Sequence, residues 1–115
     1  MIRAGQIILF RFPATDQTAG KLRPALVLKR LPGPFDDWLI CMISSQLGQQ
    51  IPGFDEVVQT TDAAFAASGL KVPSLIRAGR LAVVQVAALR GAIGQIASGR
   101  LSRITAQLGQ WIAAN

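Results

Sequence analysis

One stretch governs how this chain can fold: Lys21-Leu22-Arg23-Pro24-Ala25-Leu26-Val27-Leu28-Lys29. Its centre, Ala25 to Leu28, is a short apolar run with β-branched Val27 and breakers outside it, the pattern of a strand covered on both faces. Pro24 cannot donate to a ladder, which puts it at the first position of that strand or on an edge. The residue before a proline is driven to extended geometry, so Arg23 leaves the preceding loop at the mouth of the strand. There its planar, permanently charged fork suits phosphate. A second apolar run, Trp38 to Ile43, ends in Ser44-Ser45-Gln46. Two strand termini thus carry groups that can bind phosphate.

The remaining segments are short. Gly5 to Phe12 reads as a strand ended by Pro13, and Ala14 to Leu22 as a polar loop able to close over a ligand. The strand from Arg23 runs to about Leu31, where Pro32-Gly33-Pro34 breaks it. Adjacent carboxylates at Asp36 and Asp37 would point apart on a strand, so they read as a solvated turn. Ser45 to Gly53 is a loop, and Asp55 to Thr60 a short strand. Thr61-Asp62 opens a helical turn over Ala63 to Ala67 that stops at Gly69. Ser74 to Val84 reads as one strand kinked at Gly79, and Leu89 to Ile96 as a small strand or turn. From Ser98 on, Leu101, Ile104, Leu108, Trp111 and Ile112 recur at helical spacing, with Arg100, Arg103, Gln107 and Gln110 on the other face. Short strands plus a terminal helix predict a mainly β fold, a small antiparallel barrel with helices attached.

At 115 residues the chain is expected to form one domain spanning 1–115. Half of it is hydrophobic, so some apolar surface is expected to cover a dimer interface. No apolar run is long enough to span a bilayer, and Ile7 to Phe10 lacks a signal-peptide layout, which predicts a cytoplasmic protein. The single cysteine, Cys41, lies mid-strand and reads as a buried core thiol. Basic and acidic residues balance up to Asp62. Beyond it no acid remains, so the net charge of +6 belongs to the second half and favours a polyanionic partner.

The chain has no histidine and no tyrosine. The usual proton shuttles are therefore missing, and a histidine-pair ribonuclease is excluded. One cysteine and scattered carboxylates make no metal site, and no cofactor is expected. What remains is catalysis by positioning and electrostatics. RNA brings its own nucleophile, the ribose 2′-hydroxyl. Trp38 and Trp111 sit in apolar patterns that suit packing better than base stacking.

Gly5-Gln6-Ile7-Ile8-Leu9, Arg11-Phe12-Pro13, Thr15-Asp16, Lys21, Arg23-Pro24-Ala25-Leu26-Val27-Leu28, Ile43-Ser44-Ser45-Gln46 and Lys71-Val72-Pro73-Ser74-Leu75-Ile76-Arg77 together resemble the PemK/MazF toxins. The resemblance covers nearly the whole chain. It implies an SH3-like barrel paired as a homodimer, metal-independent cleavage of single-stranded RNA, mRNA above all, and inhibition by an antitoxin with an acidic, disordered tail. Cleavage through the 2′-hydroxyl would leave a 2′,3′-cyclic phosphate and a 5′-hydroxyl. The resemblance gives Arg23 the part of transition-state stabiliser. Ser44 falls where many members carry threonine, keeping the hydroxyl and losing the methyl. Ser45 is its alternative, since strand alternation admits only one of the two. Lys21, Gln46 and Arg11 would be further RNA contacts, Asp16 would orient Arg23 or accept a proton, and Arg77 and Arg80 would extend a phosphate track. Gyrase-inhibiting toxins share the fold and act through their C-terminal residues, which keeps a non-enzymatic reading open for a chain ending Gln110-Trp111-Ile112-Ala113-Ala114-Asn115. A module that only binds RNA or antitoxin is the third.

Overall fold

The computed structural model describes residues 2–11 and 21–114. Its strands are β1 (Gln6–Arg11), β2 (Leu22–Arg30), β3 (Asp37–Ser44), β4 (Glu56–Val58), β5 (Ser74–Gln85) and β6 (Ala92–Gln95). A single-turn helix, α1 (Phe65–Ser68), precedes β5, and α2 (Ser98–Ala113) ends the chain. All strands lie in one antiparallel sheet of order β4-β5-β3-β2-β1-β6, curled into a half-barrel. The mainly β architecture expected from the sequence is the one observed. Phe12 and the loop with Thr15 and Asp16 lie outside the described residues.

β2 is central and its apolar run is buried on both sides. Leu26 and Leu28 join Ile7, Cys41, Ile43, Ile76, Ile104 and Leu108 in the core under α2. Ala25 and Val27 join Ile8, Trp38 and Ile40 on the opposite face, where Val86 and Leu89 pack. Alternation at a period of two explains this division. Pro24 is the third residue of an interior strand and neither starts it nor lies on an edge. The ladder with β3 begins only at Ala25, so on that side Pro24 precedes the pairing. β5 is bent as expected: Met42 pairs with Arg77 and Cys41 with Leu81, which leaves Ala78 to Arg80 bulged out.

Buried Asp55 holds that bulge. Its carboxylate accepts the amide of Ala78 at 3.1 Å and that of Ile51 at 2.9 Å, tying the segment before β4 to β5. Asp55→Ala strands both donors and should cost about 2–4 kcal/mol, read as a lower urea midpoint at unchanged slope.

The charge asymmetry seen along the chain is partly cancelled by folding. Arg103 grips Glu56 with two hydrogen bonds of 2.6 and 2.9 Å. Arg100 reaches Asp62 at 3.3 Å, Glu56 at 3.5 Å and the Val57 carbonyl at 3.1 Å. These two arginines dock α2 on β4, so the polar face read from helical spacing is a packed one at its start. The end of α2 departs the other way. Trp111 and Ile112 are 59% and 63% exposed, and Trp111 meets Phe54 edge to face at 5.4 Å. Trp38, by contrast, is buried in the core as expected. Among the described residues no helix is long and apolar enough to cross a membrane.

Candidate functional site

Where β1, β2 and β3 end together, the structure has a cleft of about 440 Å³. Leu9, Pro24, Ile43 and Leu70 give it apolar walls, and Arg23, Ser44, Ser45, Lys71 and Ser74 supply polar groups. Apolar walls with a few converging polar groups are the usual build of a ligand site. No carboxylate lines it among the described residues.

The strand register explains why Arg23 and Ser44 converge. Ala25 pairs with Met42 across β2 and β3, and two further residues along each strand set Arg23 level with Ser44. Both residues line the cleft at these strand ends. Arg23 is exposed and makes no side-chain hydrogen bond or ion pair among the described residues. Ser44 is 8% exposed, and its Oγ accepts the Gln46 amide at 3.0 Å, which fixes the oxygen and leaves the hydroxyl proton to donate. Ser45 is exposed on the same rim.

The other sequence candidates are dispersed. Lys21 precedes β2, Gln46 follows the β3 turn, and neither lines the cleft. Arg11 ends β1 opposite Leu22. Asp16 lies outside the described residues. Arg77 sits across the ladder from Met42, donating to Gln49 Oε1 at 2.8 Å while its Nε is buried without a hydrogen-bond partner among the described residues. Arg80 is exposed on the β5 bulge. Neither arginine lines the cleft.

Lys71 lines the cleft although sequence reasoning did not place it in the site. The only local signal was a lysine in a run of breakers, Gly69-Leu70-Lys71-Val72-Pro73. Its loop is fixed from behind. Ser68 Oγ donates to the Phe65 carbonyl and accepts the Leu70 amide at 3.1 Å. Gly69 takes φ +73°, which suits a residue without Cβ.

Other reactive groups are engaged elsewhere. Asp36 accepts the Trp38 indole N–H at 3.0 Å and pairs with Arg30 at 3.2 Å. Asp55, Glu56 and Asp62 are held as described above. Burial, and then the nearby Asp55 charge, push the Cys41 thiol from 9.0 up to about 12, against a smaller lowering by a hydrogen bond with the Leu26 backbone. Folded protein should therefore resist Ellman's reagent at neutral pH and react fully in urea. The unfolded thiol ionises from about pH 9 while the native one stays neutral, so Cys41 should subtract stability as pH rises from there towards 12.

The chain belongs to the PemK-like, MazF-like toxins of type II toxin–antitoxin systems, whose pattern it matches over residues 3–112. Among solved structures it is similar in fold to the Mycobacterium tuberculosis toxin MazF-mt6. The two are 19% identical and superpose with a TM-score of 0.65 over 96% of this chain and 98% of that one. No curated protein sequence matches the chain.

Proposed function

We propose that this toxin is an endoribonuclease that cuts single-stranded RNA, mRNA above all, within a short sequence and without a metal ion. The observation that carries the reading is the convergence of Arg23, without an ion-pair partner among the described residues, and Ser44, with its oxygen fixed, on the rim of one apolar-walled cleft. The ribose 2′-hydroxyl attacks the adjacent phosphorus, the bond to the 5′-oxygen breaks, and the products carry a 2′,3′-cyclic phosphate and a 5′-hydroxyl. Arg23 spreads the charge that develops on the phosphate oxygens. It acts as a fixed cation, since a guanidinium does not give up its proton in this range. Ser44 donates a hydrogen bond to a phosphate oxygen. Lys71 stands on the rim as a second cation for the RNA backbone. The 115 residues act as one toxin domain in the cytoplasm, and an antitoxin with an acidic, extended tail would silence it by covering the cations of the cleft.

The test is a matched pair of RNA oligonucleotides incubated in excess EDTA, one carrying 2′-deoxyribose at the mapped cut. The all-ribose strand should be cut and the deoxy strand left whole. Cutting of the deoxy strand would sink the mechanism, and failure to cut either would sink the enzyme. Ser44→Ala should lose far more rate than Ser45→Ala; the reverse order would give the role to Ser45.

Exposed Trp111 and Ile112 favour a second reading, a non-enzymatic toxin acting through the end of α2. Truncation after Gln110 separates the two. A ribonuclease keeps cutting, whereas a toxin of the second kind loses its effect on growth.

A further inference from the structure

Cleavage through the 2′-hydroxyl moves two protons, and Arg23 and Ser44 account for neither. The 2′-oxygen must lose one as it bonds to phosphorus, and the 5′-oxygen must gain one as it leaves. A bare alkoxide is a poor leaving group, so the second transfer is where a positioned acid gives most. Among the described residues the cleft holds no carboxylate, and the chain has no histidine or tyrosine. Arg23 keeps its proton. The Ser74 hydroxyl donates to the Val72 carbonyl at 2.8 Å, and a free serine hydroxyl is too weak an acid for the task. Lys71 is then the described cleft side chain able to give a proton up.

Its placement suits that task. Lys71 is exposed and has no hydrogen bond or ion pair among the described residues, yet the residues on either side of it are tied down. Ser68 Oγ accepts the Leu70 amide at 3.1 Å, and Ser74 Oγ holds the Val72 carbonyl. The loop starts where Gly69 lies against the Ile93 carbonyl, and it leads into β5, where Leu75 pairs with Ser44. A lysine chain is flexible, but here its root is fixed on the wall of the cleft that Arg23 and Ser44 also line.

We infer that Lys71 is the general acid of the reaction, an inference that rests on the ribonuclease reading and supplies a proton donor which that reading lacks. The 2′-oxygen bonds to phosphorus and releases its proton to water. The bond from phosphorus to the 5′-oxygen breaks and its electron pair stays on that oxygen. The Lys71 ammonium then gives the proton that makes the 5′-oxygen a hydroxyl. The neutral amine takes a proton back from water, so the protons balance over the cycle.

The experiment compares two RNAs of one sequence, with oxygen or sulfur as the 5′ bridging atom at the mapped cut. Both are cleaved in single turnover by saturating full-length protein in excess EDTA. A thiol ionises at about pH 8.5, far more readily than an alcohol, so a thiolate leaves without a proton. Lys71→Met should lose about 100-fold or more on the oxygen RNA and cut the sulfur RNA at close to the parental rate. Lys71→Arg keeps the charge without a proton to give, and should fail on the oxygen RNA and recover on the sulfur RNA in the same way. Arg23→Ala should stay slow on both, since its loss acts on the phosphate oxygens. Equal losses on the two RNAs for the Lys71 variants overturn the inference and leave Lys71 a charge contact, as does parental cutting of the oxygen RNA by Lys71→Arg. A parent that cuts neither RNA overturns the ribonuclease reading itself.

Discussion

Arg23→Ala should lower the rate of RNA cleavage about 100- to 1,000-fold while leaving the melting temperature within a degree or two of the parent, on the scale of one lost transition-state donor. The two halves of this expectation have separate causes. Arg23 is exposed at the start of β2 and holds no other side chain among the described residues, so its loss breaks no packing. Its value to the reaction lies in charge that exists only at the transition state, so kcat should fall more than KM rises. Arg23→Lys should fall between the two, because an ammonium keeps the charge and gives up the planar fork. Single-turnover cleavage of an end-labelled RNA in EDTA gives the numbers. A variant that cuts at the parental rate would remove Arg23 from the site. A variant that melts far below the parent would show that Arg23 holds the fold.

The contrast between Arg23 and the other arginines shows what the sequence could carry. β2 was legible because four apolar residues between breakers leave few alternatives, and its two buried faces follow from that run alone. The bend in β5 was legible at Gly79. Placing Arg100 and Arg103 on a solvent face followed from helical spacing, which says nothing of what stands opposite. Their partners, Glu56 and Asp62, lie some forty residues earlier and meet them only because β4 and α2 pack together. The same limit hid Lys71, whose position depends on a loop held against β6. Trp111 shows the converse error. It has helical spacing and an apolar side chain, yet in the fold the indole is 59% exposed and meets Phe54 edge to face. Pattern reports what a residue can do next to its neighbours in sequence, and the site is made by neighbours in space.

Gly69 and Gly94 carry that last point to a measurable end. In sequence Gly69 reads as a helix stop and Gly94 as part of a small strand or turn, and either role would tolerate alanine at modest cost. In the fold they form a contact between the α1–β5 loop and β6. A Cβ on Gly69 would run into the Ile93 carbonyl, and one on Gly94 into the Ala67 and Ser68 backbone. Backbone cannot swing aside as a long side chain can. Gly69 also has φ +73°, which adds about 1–2 kcal/mol for any residue with a Cβ. Gly69→Ala should therefore cost about 3 kcal/mol or more, and lower the melting temperature by about 10 °C. Gly94→Ala should follow close behind, without the conformational part. Both changes push away the wall that carries Leu70, Lys71 and Val72, so at temperatures where the variants remain folded RNA affinity should fall as well. Gly48→Ala, in open space on the far connection, is the control and should change neither. If Gly94→Ala melted with the parent, β6 and α1 would not be in contact in solution, and the cleft would lack the side on which Lys71 stands.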